Sequence, residues 1–146
     1  MTEKMTGYFK SSIRDFKYVP YIKNGRIVRN RVVLVNDVVW VDEDDIHHVA
    51  PRGFVCDLTS LPLSGFLLCK LGRHQRAGVL HDWFYSNQTK GKLWADSQMD
   101  SAMEFDRVKQ WRIEIINAGL FFGGAVAWYR KDDIKIVDPD TMKSLG

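Results

Sequence analysis

The run Gln75-Arg76-Ala77-Gly78-Val79-Leu80-His81-Asp82-Trp83-Phe84-Tyr85 marks the place where the chain changes period. Before it, apolar residues come in short β-branched runs. From it onward they recur every three or four positions, the spacing of one helix face. Ala77, His81, Phe84 and Tyr85 fall on that face, so a helix is predicted with an imidazole on its apolar side. Asp82 is rotated from His81 by about 100°, at about 3.6 residues per turn.

Working outward, 87–92 reads as a polar turn containing Gly91, and Ala95–Lys109 as a second helix with Met99, Ala102 and Met103 inward. A third helix is predicted over Glu114–Tyr129, ended by Asp132-Asp133, and Ile134–Val137 reads as an edge strand before Pro139. Upstream, Tyr18–Ile22 and the apolar Ile27-Val28 flank Asn24-Gly25, a hairpin signal. Arg31–Val35 and Val38–Val41 are β-branched runs separated by Asn36-Asp37, which predicts a second hairpin. The acidic patch Asp42–Asp45 reads most simply as a solvated turn, with a weak cation site as the alternative, and His47-His48 as a chance surface pair rather than a weak metal-binding patch. The expectation is a single α+β domain over 1–146, with N-terminal antiparallel strands and hairpins followed by a bundle of about three helices. Its parts are a strand-rich 1–56, a loop 57–74, a helical 75–131 and a short tail 132–146.

Composition fits that reading: 146 residues, 45% hydrophobic and 27% charged, suit one folded domain and not a disordered chain. Twenty-one basic against eighteen acidic residues leave a net charge of +3. The basic residues are scattered, the densest group being Lys23, Arg26, Arg29 and Arg31, so specific nucleic-acid binding is not expected. Cys56 and Cys69 are too few for a disulfide scaffold and read as buried thiols or as one bridge. The N-terminal residues do not form a secretory signal, and Ile115–Tyr129 is shorter than the roughly 20 apolar residues of a membrane span.

Ionisable residues set among apolar ones mark the candidate site. Asp96 lies three residues before Met99 and seven before Met103, so it faces inward on the second helix. Two antiparallel helices joined by a short turn bring it towards His81, with Asp100, one turn on, as the other carboxylate within reach. A carboxylate that holds one imidazole nitrogen orients the other as a general base for water. On this reading His81 and Asp96 are the catalytic pair. Asp82 and Asp57 are ligands for Ca²⁺ or another divalent cation, and Tyr85, Ser60, Thr59 and Asp100 are supporting residues. The same set has a structural reading, in which buried polar groups pin two helices. Ser60, His81 and Asp96 formally make a triad, but Ser60 lacks a Gly-x-Ser-x-Gly elbow.

The segments Gly53-Phe-x-x-Asp57-Leu-x-Ser60-x-Pro62, Val79-Leu-His-Asp-x-x-Tyr85 and Ala95-Asp96 resemble a family common in phages and prophages, the domain of unknown function DUF1353. The resemblance runs from about Gly53 to the Gly123 region. It implies a phage or prophage origin and supplies no activity. Family members usually carry Thr at position 56 and Ala at position 59, which argues against essential chemistry at Cys56 or Thr59.

The shorter pattern His81-Asp82-x-x-Tyr85, followed by a helix carrying Asp96, resembles the helix pair of phospholipase A₂ enzymes. That resemblance implies His81 as base, Asp82 as calcium ligand, and Tyr85 and Asp96 as the supporting network. The half-cystines and the glycine-rich calcium loop of those enzymes are absent. Two functions follow as expectations. One is a hydrolase of an ester, a phosphoester or a cell-envelope component, assisted by a cation. The other is a non-enzymatic virion, tail, assembly or host-interaction protein, located in the host cytoplasm or carried in the virion.

Overall fold

The computed structural model describes residues 7–57, 75–130 and 133–145, with the backbone alone for 120–123. Two small antiparallel sheets precede a helical half, so the architecture is α+β. The first sheet has the order β1 (Tyr8–Phe9), β4 (Val38–Val41), β5 (His47–Ala50); the second has β2 (Tyr18–Lys23), β3 (Arg26–Leu34), β6 (Val55–Asp57). The helices are α1 (Gln75–Asn87), α2 (Lys92–Phe105) and α3 (Gln110–Tyr129).

Asn24-Gly25 turns β2 into β3, and both residues take positive φ, 53° and 73°, as a two-residue hairpin requires. Pro20 is tolerated in β2 because that strand is a sheet edge.

The second predicted hairpin does not form. β3 and β4 lie in different sheets, and Asn36-Asp37 is the crossover between them. Tertiary partners override the local turn signal. Leu34 exchanges main-chain hydrogen bonds with the Gly53-Phe54 segment. The Asn36 amide donates to the Asp15 carbonyl at 2.7 Å, and an Asp37 carboxylate oxygen accepts the Arg52 N–H at 2.6 Å.

Tail and second sheet meet at Gly53, where Val137 N–H donates to the Gly53 carbonyl and Phe54 bridges Ile136. Gly53 holds φ at 90°, and a Cβ there would run into the Val137 carbonyl oxygen, so the glycine of the Gly53-Phe54 motif lets the tail dock.

The core lies between the strands and α1–α2. Leu34, Trp40 and Phe54 from the strands meet Leu80, Phe84, Met99 and Met103 from the helices, with Ile113 and Ile116 closing it from α3. Polar ties cross the same boundary. The Trp40 indole N–H donates to Gln98 Oε1 at 2.8 Å, and the buried Arg76 is doubly bonded to Asp106. Among the described residues no helix is long and apolar enough to cross a membrane.

Candidate functional site

α1 and α2 form a helical hairpin through 88–91, and the short turn makes their facing residues neighbours. His81 comes from the middle of α1 and Tyr85 from the next turn on the same face. Asp96 enters from the second turn of α2. His81 Nε2 lies 2.8 Å from Asp96 Oδ1, and the Tyr85 hydroxyl donates to the same oxygen at 2.7 Å. Lys92, one helical turn before Asp96, donates to Oδ2 at 2.7 Å. The imidazole is fully buried and packs against the Tyr85 ring, tilted by 41° with centroids 4.0 Å apart. Trp128 of α3 meets Tyr85 edge-on, with centroids 5.0 Å apart.

Electrostatics fix the roles of these groups. Burial pushes the Asp96 carboxyl up. Hydrogen bonds from His81, Lys92 and Tyr85, with the positive charge His81 can carry, outweigh that and hold it below the ordinary aspartate range. Burial first, then the hydrogen bond to Asp96 and its negative charge, push the Tyr85 phenol far up, so it stays protonated and donates. An ionised Asp96 accepts only, so His81 Nε2 carries the hydrogen of the bond between them.

The second predicted carboxylate pair also meets, through the main chain. The Asp57 N–H at the end of β6 donates to Asp82 Oδ2 at 2.9 Å, and Asp82 is buried. This joins the Gly53–Asp57 motif to the His81-Asp82 motif, because α1 packs on β6. Among the described residues no group of three ligating side chains gathers there or elsewhere. Ser60, Thr59 and Cys69 lie outside the described residues, while Cys56 is buried in β6. Asp100 does not reach His81. It accepts the Asn117 amide at 2.9 Å and ties α2 to α3.

Lys92 and the approach of α3 escaped the sequence reading. The predicted second helix began at Ala95, which left Lys92 in the turn; its i,i+4 spacing to Asp96 was the available signal. Asp42 and His48 were misread as solvated. The β4–β5 hairpin buries Asp42, whose Oδ1 accepts the N–H groups of Asp44 and Ile46 and whose Oδ2 lies 2.8 Å from His48 Nε2. The His48 ring packs between Phe84 and Trp94.

No curated protein and no solved structure matches the chain. One family profile does, over residues 32–120, so the likeness begins well before Gly53 and takes in β4, β5 and the Asp42–His48 pair. His81, Asp82, Tyr85, Asp96 and Asp57 all fall inside it. With more than half of its length matched, the chain belongs to DUF1353, a family of proteins of unknown function.

Proposed function

We propose that the protein is a phage- or prophage-encoded hydrolase that uses His81 as a general base against an ester, a phosphoester or a cell-envelope component. The observation that carries the reading is the convergence of His81 Nε2 and the Tyr85 hydroxyl on one Asp96 oxygen, at 2.8 and 2.7 Å. Asp96 fixes the tautomer and offsets the charge that His81 gains on taking a proton. Tyr85 and Lys92 hold the carboxylate still, which keeps the imidazole in one orientation. His81 then takes a proton from water as the water oxygen attacks the carbonyl or phosphoryl centre. The protonated His81 returns that proton to the leaving oxygen. This order of atoms is similar to that of the phospholipase A₂ helix pair, and no step here is routed through a cation.

The test uses p-nitrophenyl esters, bis-p-nitrophenyl phosphate and purified bacterial cell envelopes as substrates. Wild type is compared with His81→Gln and Asp96→Asn. The proposal expects turnover of one class by wild type and at least a hundredfold loss in both variants, with the helical circular dichroism kept. Turnover that survives in His81→Gln, or no turnover of any class by folded protein, overturns it.

A second reading is favoured by one observation: the His81 side chain is fully buried. In it the network pins α1 to α2 in a non-enzymatic virion, tail, assembly or host-interaction protein. It expects no turnover, and tolerance of His81→Gln wherever Asp96 keeps a donor.

A further inference from the structure

At the end of the α1–α2 hairpin away from its joining turn, an open cleft of about 660 Å³ lies between the Phe9–Ile13 segment and the Phe105–Arg107 end of α2. That volume is in the range of small-molecule sites. Its lining divides by chemistry. Phe9, Ile13 and Phe105 are the apolar part, with Ile13 and Phe105 exposed at 50% and 46%. Lys10 and Arg107 are exposed cations whose side chains have no ion-pair or hydrogen-bond partner among the described residues. The buried Arg76 is neutralised by Asp106, so the two unpaired charges set the sign of the cleft. Ser11 and Ser12 Oγ accept the N–H groups of Val39 and Arg14, which leaves both hydroxyl hydrogens to donate.

Arg107 stands where the backbone favours glycine. α2 ends with the Val108 N–H donating to the Met103 carbonyl and the Arg107 N–H to the Glu104 carbonyl, both at 3.0 Å. These are the paired bonds of a Schellman cap, and Arg107 is its left-handed residue, at a φ of 59°. Glycine fills that place without steric cost and arginine does not. The cap alone gives no reason for an arginine; a side chain that acts in the cleft does.

We propose that this cleft binds a phosphomonoester, its phosphate held by Lys10 and Arg107 and its organic part against Phe9, Ile13 and Phe105. A phosphomonoester carries nearly two negative charges at neutral pH, which two unpaired cations match and a carboxylate would not. The guanidinium offers paired N–H donors to two phosphate oxygens, and the ammonium adds a point charge. The serine hydroxyls are neutral donors for a remaining oxygen. A soluble phosphomonoester and a phosphatidic-acid headgroup present the same chemistry. The cleft is separate from the His81–Asp96 network and does not rest on the hydrolase reading.

Isothermal titration calorimetry of the full chain with phenyl phosphate, inorganic phosphate and benzoate tests this, with Arg107→Gly and Lys10→Gln beside wild type. The expected result is saturable binding of phenyl phosphate, at least fivefold tighter than inorganic phosphate or benzoate, and at least tenfold weaker in either variant. Arg107→Gly should keep or raise the melting temperature, because glycine suits the cap, so lost binding is separated from lost fold. If one variant fails to fold, the other decides. Flotation with phosphatidic-acid vesicles that both variants lose assigns the group to a lipid; binding of phenyl phosphate without flotation assigns it to a soluble molecule. Neither phenyl phosphate binding nor variant-sensitive flotation overturns the proposal if both are absent, the outcome is its refutation, and so is binding that both variants keep. Inorganic phosphate or benzoate bound as tightly as phenyl phosphate overturns the ligand class.

Discussion

Gly124 of α3 stands directly over the Tyr85 hydroxyl: a Cβ added there would lie 3.0 Å from that oxygen and 2.9 Å from Lys92 Cε. The third helix therefore closes the His81–Asp96 network from above, and the missing side chain is what lets it do so. Gly124→Ala gains about 1 kcal/mol of helix propensity and loses part of it by displacing the flexible end of Lys92. Its net effect on urea unfolding is expected within about 1 kcal/mol of zero. Gly124→Leu cannot be absorbed by moving Lys92 alone, and a loss of about 1–3 kcal/mol is expected. Equal stabilities for the two variants would contradict this packing.

Tyr85 donates to the oxygen that also holds His81, so Tyr85→Phe removes one hydrogen bond and leaves the ring contacts with His81 and Trp128 in place. A loss of about 1 kcal/mol is expected in denaturant unfolding, rising towards 3 kcal/mol if the oxygen is left short of donors. With one donor fewer, the Asp96 carboxyl rises towards its ordinary value. That rise is measurable by carbon NMR of the carboxyl, and an unmoved Asp96 titration would place the phenol elsewhere.

The helical half was legible because periodicity carries it. His81, Phe84 and Tyr85 share a face at three and four residues, and a short turn forces Asp96 opposite them. Lys92 was lost to a helix boundary set three residues late, the least certain part of any reading from periodicity. The strands were harder. Asn36-Asp37 between two β-branched runs has the look of a hairpin, yet the pairing of Leu34 with Phe54 is a long-range choice that local residues do not encode. β5, His47–Ala50, has little alternation to betray it, with only Ala50 buried. Without β5 nothing signals that Asp42 is inside.

Acid should unfold the protein through Asp42 and Asp96. Burial pushes Asp42 up, and the hydrogen bonds from His48, Ile46 and Asp44, with the His48 charge, more than reverse it. Its carboxyl, like that of Asp96, thus sits below the ordinary value of 3.8. A depressed folded-state value means that the unfolded chain binds the proton first. The stabilisation is complete above about pH 3.8 and is lost as pH falls through the lower folded-state values. Melting temperature should therefore fall steeply below about pH 4, and Asp42→Asn and Asp96→Asn should each flatten that fall. Parallel acid profiles for wild type and both variants would refute the assignment.

Arg76 and Asp106 form the most enclosed ion pair among the described residues, with side chains 4% and 3% exposed. The guanidinium also donates to the Ser11 carbonyl at 2.8 Å and lies 3.8 Å over the Phe9 ring, so it joins β1, α1 and the end of α2. Removing one partner strands a charge that cannot reach water. Arg76→Met should cost about 3–5 kcal/mol, because Asp106 stays buried without its fork of donors. Removing both charges is a different operation. Arg76→Met with Asp106→Leu replaces two desolvated ions by apolar volume, and should recover most of that loss. A double-mutant cycle by urea unfolding decides it: a double variant as unstable as the sum of the two single changes would show that the pair acts through separate contacts.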